Sequence, residues 1–215
     1  DLDLKHRVVR EVEQHVPPHC VFASNTSALP IADIARASQR PDKVVGMHYF
    51  SPVDKMPLLE VIRTEQTSEE TLAAAVDVGL RQGKRVIVAR DAPGFYTTRI
   101  LMPFMLEAFA IAQPGVGVQH LDKLMVKYGF PVGPFTLADE VGIDVGYHIA
   151  TYLLGVFRER MGETGLAPMR EMVDAGLLGR KSGKGFHVYP PAGKQKKAKK
   201  EINQAALDII KRHQK

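Results

Sequence analysis

The chain has 215 residues, of which 45% are hydrophobic and 25% charged, a composition that excludes collagen-like, wholly disordered and multi-span membrane classes. Its single cysteine, Cys20, excludes an internal disulfide framework. The formal net charge is +5, but Lys194, Lys196, Lys197, Lys199 and Lys200 supply five positive charges within one short stretch. The remainder is neutral and lacks the distributed cationic face that nucleic-acid binding requires. The stretch itself reads as a solvated spacer. The opening Asp1-Leu2-Asp3-Leu4-Lys5-His6-Arg7 reads neither as a secretory signal nor as a basic transit peptide.

In chain order, Leu4, Val8, Val12 and Val16 recur every fourth residue and predict a helix that Pro17-Pro18 stops. Cys20–Ala23 reads as a short buried strand. Pro30 opens a short helix with Ile31, Ile34 and Ala35 facing inward. Val44–Phe50 and Leu58–Ile62 follow as strands. Thr67 and Glu70 have capping-box spacing ahead of a helix whose expected inner face is Leu72, Val76 and Leu80, closed by Gly83. Arg85–Ala89 is a fourth strand.

After Asp91-Ala92-Pro93-Gly94 the pattern turns helical. Ile100, Leu101, Phe104, Ala108 and Phe109 form one apolar stripe, interrupted by Pro103, and Leu121, Leu124, Met125 and Tyr128 form a second. Ile149, Tyr152, Leu153, Val156 and Phe157 mark a longer helix, and Met169, Met172 and Val173 a short one. Gly183–Tyr189 turns into an extended segment, and Ile202, Ala206, Ile209 and Ile210 form a final stripe beyond the lysines. The expected organisation is α/β over residues 1–90, all-helical over 91–190, and a basic linker with a further helix over 191–215.

Three polar positions lie at or near strand ends, where open α/β sheets place their sites. Ser24-Asn25-Thr26-Ser27 follows the first strand, His48 interrupts the apolar second strand, and Glu60 the third. A carboxylate and an imidazole in neighbouring strands would pair, fixing the ring's tautomer and making it a general base for a hydroxyl. Taken alone, a histidine on an apolar strand is more often a satisfied core side chain than a catalyst. No G-x-G-x-x-G run occurs, and Gly179–Gly185 has the wrong spacing for a Walker loop. The eight histidines show no metal-ligand spacing.

The ordered set decides. Ser24–Ser27, Gly46-Met47-His48-Tyr49-Phe50-Ser51-Pro52, Leu59-Glu60-Val61 and Asp91–Arg99 resemble the L-3-hydroxyacyl-CoA dehydrogenase family in order and spacing. Gly129–Pro134, Asp139–Gly142 and Gly179–Phe186 resemble that family's helical domain and closing turn. Phe50–Met56 and Tyr96-Thr97-Thr98-Arg99 look most like its multifunctional members, especially the mitochondrial trifunctional enzyme α subunit, with the bacterial fatty-oxidation α subunit close behind.

The resemblance implies the C-terminal part of a Rossmann-like NAD-binding domain followed by the family's helical domain. It implies oxidation of 3-hydroxyacyl-CoA to 3-ketoacyl-CoA in fatty acid β-oxidation, with NAD as cofactor. His48 corresponds to the base, Glu60 to its orienting carboxylate, Ser27 to a residue that binds the reacting oxygen, and Thr98 to a contact to the substrate carbonyl. Lys5, Asn25, Ser27 and Ser51 correspond to cofactor-side positions. Many single-function members carry asparagine where this chain has Thr98 and Ser51, so the carbonyl contact would shift or pass through water.

The glycine-loop unit that opens family members is missing, and the chain is therefore expected to be a fragment. Its first strand would present an open edge, and the piece would self-associate and bind NAD poorly. A second copy or a thiolase-type β subunit is the expected protein partner. Membrane association belongs only to such a complex. The expected setting is the mitochondrial matrix, with bacterial cytoplasm as the alternative. Two other readings stay open: a hydroxyacid or sugar-acid dehydrogenase, which would need a lysine absent from the strand motifs, and a non-catalytic assembly module.

Overall fold

The computed structural model describes residues 1–112, 115–161, 165–190 and 201–213, apart from the side chain of Glu159. It divides into two compact units, Asp1–Arg99 and Ile100–Lys215.

The first unit holds α1 (Leu2–His15), β1 (Phe22–Ser24), α2 (Ile31–Ala35), β2 (Val44–Tyr49), β3 (Leu58–Arg63), α3 (Glu69–Arg81) and β4 (Arg85–Arg90). The strands form one sheet in the order β1-β2-β3-β4. β1 runs parallel to β2, β2 antiparallel to β3, and β3 parallel to β4. β1 is an edge strand among the described residues.

Side chains alternate faces along a strand, and the two faces of β2 and β3 are both covered, which explains their unbroken apolar runs. Val44 and Ile62 pack with Val9 of α1, with Ile31, Ile34 and Ala35 of α2, and with Phe95. Val45, Met47, Leu59 and Val61 pack with Ala75 of α3 on the other side. By the same alternation His48 and Glu60 belong to the face of Val44 and Ile62.

Two helix faces differ from expectation by one residue. In α1 the core side chain is Val9, while Leu4 and Val8 are 49% and 41% exposed. In α3 the buried positions are Thr71, Ala75 and Gly79, whereas Leu80 is 58% exposed. The reason is close approach: a Cβ on Gly79 would lie 2.6 Å from Leu59 Cδ2 and 2.8 Å from Val86 Cγ2. The helix turns its smallest residues to the sheet. Its N-cap is Ser68, whose hydroxyl accepts from Thr71 N at 3.1 Å, one residue later than the Thr67 box predicts. Thr67 Oγ1 instead donates to Val44 O at 2.8 Å.

α4 (Thr97–Ala112) leads into the second unit, which continues with α5 (Val118–Tyr128), α6 (Pro134–Val141), α7 (Ile143–Met161, interrupted at Phe157), α8 (Leu166–Asp174), the paired β5 (His187–Val188) and β6 (Glu201–Ile202), and α9 (Gln204–Arg212). Phe109, Phe135 and Phe186 meet edge-on or tilted at 5.0–5.3 Å in its main core. Of the expected α4 stripe, Ala108 and Phe109 are buried, but Ile100 and Leu101 lie 58% and 37% exposed, and Met102, Leu106 and Ala112 fill the core instead. Met169 and Met172 are buried as the stripe in α8 predicts. α9 docks Ala206, Ile209 and Ile210 into the same core, so the final stripe covers its own unit. The lysine stretch lies outside the described residues.

The closing turn is built around Asp139 of α6, a buried carboxylate. It accepts from Phe186 N at 2.8 Å, His187 N at 2.9 Å, His187 Nδ1 at 3.0 Å and Tyr189 Oη at 2.9 Å. Only glycine fits at 185, where a Cβ would stand 1.9 Å from Asp139 Oδ1. The glycines that superficially suggest a phosphate loop serve this wrap.

Candidate active site

His48 and Glu60 are direct cross-strand partners in the β2–β3 ladder. Opposed residues of an antiparallel pair project to the same face, and the ring Nδ1 lies 2.8 Å from Glu60 Oε2. Both are buried, at 4% and 0% exposure. Phe50 and Phe95 flank the imidazole at ring-centroid distances of 4.5 and 6.0 Å.

Four donors hold the Glu60 carboxylate. Oε1 accepts from Tyr96 N at 2.8 Å and Thr97 N at 3.0 Å, and Oε2 from His48 Nδ1 and from Thr97 Oγ1 at 2.6 Å. The two backbone donors come from the start of α4, where unpaired N–H groups and the helix dipole favour an anion. Burial alone would push the Glu60 carboxyl up. The hydrogen bonds of His48, Thr97 and Tyr96 outweigh it and hold the group below its ordinary range. An ionised carboxylate only accepts, so His48 carries its proton on Nδ1. In the neutral ring Nε2 keeps its lone pair, and it has no hydrogen-bond partner among the described residues.

The turn between β4 and α4 fixes this geometry. Asp91 accepts from Ile31 N at 2.8 Å and Ala32 N at 2.7 Å, capping α2 from 59 or more residues away. Gly94 N donates to Ala28 O at 3.3 Å. Phe95 adopts a left-handed φ of 50°, and its ring is buried at 3% exposure in the α1/α2 core. That conformation costs about 1–2 kcal/mol, and burial of a phenylalanine ring, worth about 1.5–3 kcal/mol, offsets it.

The other expected site residues are placed as follows. Asn25 and Ser27 lie in the loop after β1. Asn25 Oδ1 accepts from Tyr49 N at 2.8 Å, which ties that loop to the residue after His48. Ser51 lies just beyond β2, and Thr98 is buried in the first turn of α4. Lys5 is on α1. Among the described residues, the hydrogen bond within this set is the one between His48 and Glu60. Sequence reasoning missed Thr97 and the Tyr96 and Thr97 amides as holders of Glu60. The available signal was a pair of threonines at a helix start, where short hydroxyl residues commonly bond locally.

Residues 1–92 match the 3-hydroxyacyl-CoA dehydrogenase NAD binding domain, and residues 94–189 match the 3-hydroxyacyl-CoA dehydrogenase C-terminal domain. The chain belongs to the 3-hydroxyacyl-CoA dehydrogenase family. Among curated relatives, it is 48% identical over 212 residues to the fatty acid oxidation complex subunit alpha of Shewanella amazonensis, covering 98% of this chain and 29% of that protein. It is 50% identical over 198 residues to the subunit of the same name from Shewanella oneidensis, covering 91% and 28%. The chain thus spans less than a third of the length of these relatives.

Among solved structures, FadB2 of M. tuberculosis aligns with a TM-score of 0.82 at 35% identity, covering 88% of this chain and 68% of that one. (S)-3-hydroxybutyryl-CoA dehydrogenase PaaH1 from Ralstonia eutropha aligns with a TM-score of 0.79 at 37% identity, covering 87% and 67%.

The residues present fit the redox end of NAD. β1 and β2 are parallel, Ser24 lying opposite Gly46 and β2 running on to Tyr49, and the carboxyl ends of such strands are where open α/β sheets bind dinucleotides. The Asn25 loop and the unpaired His48 Nε2 lie at that end. Among the 215 residues there is no glycine-rich G-x-G-x-x-G loop of the kind that cradles a pyrophosphate.

Proposed function

We propose that these residues form the dehydrogenase part of a multifunctional fatty-acid-oxidation α subunit, acting on 3-hydroxyacyl-CoA with NAD. The observation that carries this reading is the buried His48–Glu60 pair, with Nδ1 committed to the carboxylate and Nε2 left as the proton acceptor. NAD, when bound, supplies the hydride acceptor. His48 Nε2 takes the proton of the 3-hydroxyl as the C3–H bond surrenders its hydride and the C3–O bond becomes a carbonyl. Glu60 keeps the Nδ1 proton in place and stabilises the imidazolium that forms.

Ser27 is assigned to the reacting oxygen and Thr98 to the substrate carbonyl. Lys5, Asn25 and Ser51 are assigned to the cofactor side. These assignments rest on the motif resemblance. The protein partner is a thiolase-type β subunit or a second copy, which the names of the bacterial relatives as complex subunits support. The setting is the mitochondrial matrix if the Phe50–Met56 and Tyr96–Arg99 resemblance prevails, or the bacterial cytoplasm in line with the Shewanella relatives. Cell fractionation followed by mass spectrometry of peptides from this chain decides between them.

The test of the activity is NADH oxidation with acetoacetyl-CoA by the complete gene product, beside its His48→Ala variant. Turnover that His48→Ala abolishes supports the proposal. Turnover that survives His48→Ala removes the base assignment, and no turnover in the wild type favours the assembly-module reading.

A further inference from the structure

The Glu60 carboxylate has two oxygens with different duties. Oε1 is pinned by two backbone amides, which no side-chain substitution removes. Oε2, the oxygen that meets the imidazole, is pinned otherwise, among the described residues, only by the hydroxyl of Thr97, at 2.6 Å. A carboxylate held at one oxygen can still swing its other oxygen about the terminal bond, since that torsion is broad. A third hydrogen-bonded point fixes the carboxylate plane, and the plane fixes the direction in which Oε2 presents its lone pairs to His48 Nδ1. The ring's rotation, and with it the aim of Nε2, follows from that direction.

We propose that Thr97 is a positioning residue of the dyad, its hydroxyl holding the Glu60 oxygen that orients His48. Thr97 acts through Glu60 and is assigned no contact to substrate or cofactor. The hydroxyl is well suited to the task because its own backbone N–H bonds the other carboxylate oxygen, so one residue clamps both ends of the group. Its β-branched side chain is also stiff at χ1, which limits the freedom of the clamp. The catalytic part of the inference rests on the dehydrogenase reading, whereas the hydrogen-bonding part does not.

The test uses Thr97→Val, which keeps the side chain's shape and deletes only the hydroxyl, and Thr97→Ser, which keeps the hydroxyl. Two readouts apply to the complete gene product: kcat and KM for NADH oxidation with acetoacetyl-CoA, and the proton resonance of His48 Nδ1–H. A hydrogen bond to a charged group is worth about 1.5–3 kcal/mol, so Thr97→Val is expected to lower kcat by roughly 10- to 150-fold with KM unchanged. With Oε2 no longer held in place, the Nδ1–H resonance shifts away from its wild-type position. Thr97→Ser restores both.

An active Thr97→Val enzyme with wild-type kcat and an unmoved resonance overturns the proposal while leaving the dehydrogenase reading intact. Equal losses in Thr97→Ser and Thr97→Val assign the effect to packing and also overturn it. An inactive wild type overturns the dehydrogenase reading and the catalytic role together, and the resonance then decides separately whether Thr97 holds Glu60.

Discussion

Glu60→Gln separates what the dyad does for chemistry from what it does for folding. Glutamine fills the same volume, and its carbonyl oxygen can still accept from the Tyr96 and Thr97 amides. Its amide nitrogen then faces His48 Nδ1 and the Thr97 hydroxyl. The hydroxyl can rotate to accept. The imidazole can accept only by moving its proton to Nε2, the atom that must take the substrate's proton. Replacing the carboxylate of a serine-protease triad by its amide costs about 10⁴ in kcat through the same wrong tautomer, so a loss of about 10³–10⁴ in kcat/KM is expected here.

The stability cost is much smaller. The four charge-assisted bonds become neutral ones, each weaker by roughly 1 kcal/mol, and relief from burying a charge offsets part of that sum, so a total loss of about 1–3 kcal/mol is expected. Glu60→Ala, in contrast, strips the acceptor from a fully buried site and should unfold the first unit. The assays are NADH oxidation with acetoacetyl-CoA, urea unfolding, and nitrogen-15 NMR of the ring to locate its proton. A Glu60→Gln enzyme that keeps more than about a tenth of the wild-type kcat/KM, against the 10³–10⁴ loss argued from the tautomer, would refute the reasoning.

The same variant carries a pH signature. The Glu60 carboxyl is held low in the folded state, so its contribution is complete above the unfolded glutamate value of about 4.3 and is lost as pH falls through the lower folded value. The stability gap between wild type and Glu60→Gln should be flat near neutrality and shrink in acid.

Asp122 accepts from Phe135 N at 2.9 Å, Thr136 N at 3.0 Å and Thr136 Oγ1 at 2.6 Å at the start of α6. Asp122→Ala should cost about 1–2 kcal/mol in urea unfolding, as for other helix caps, and a cost near zero would mean that water replaces the cap. Gly185→Ala drives a Cβ into Asp139 and should lower the melting temperature by more than any surface alanine, with a cost of about 2 kcal/mol or more. A wild-type melting temperature would show that the turn repacks. Burial, then the charge of Asp139, pushes the Tyr189 phenol far above its ordinary value. Stability from that group is present below the unfolded tyrosine value of about 10 and falls as pH rises past it. Ultraviolet titration should therefore find one tyrosine that ionises only on unfolding, and Tyr189→Phe should abolish that feature.

Strand positions were legible because β2 and β3 are buried on both faces and announce themselves as apolar runs flanked by Pro41, Pro52 and Pro57. The polar interruptions His48 and Glu60 stood out for the same reason. Helix faces were less legible. Along α3 a stripe of large apolar residues, Leu72, Val76 and Leu80, lies beside a stripe of small ones, and only the close approach to Leu59 and Val86 selects Ala75 and Gly79 as the inner face. In α1, likewise, Val8 and Val9 are both apolar, and packing against Ile31, Ile34 and Phe95 chooses Val9.

By itself the sequence determined the change from α/β to helix after Arg90, the strand that carries each member of the dyad, and the resemblance that names the chemistry. Those features are local: they depend on residue type, period and spacing along the chain. Only the tertiary structure decided the register that sets His48 opposite Glu60, the clamp of Thr97 on the carboxylate 37 residues earlier, and the wrap of the closing turn around Asp139. Each of these pairs groups far apart in sequence. Their partners are fixed by burial, where a charged group must find every available donor or forfeit several kcal/mol, and burial is a property of the assembled fold rather than of any segment within it.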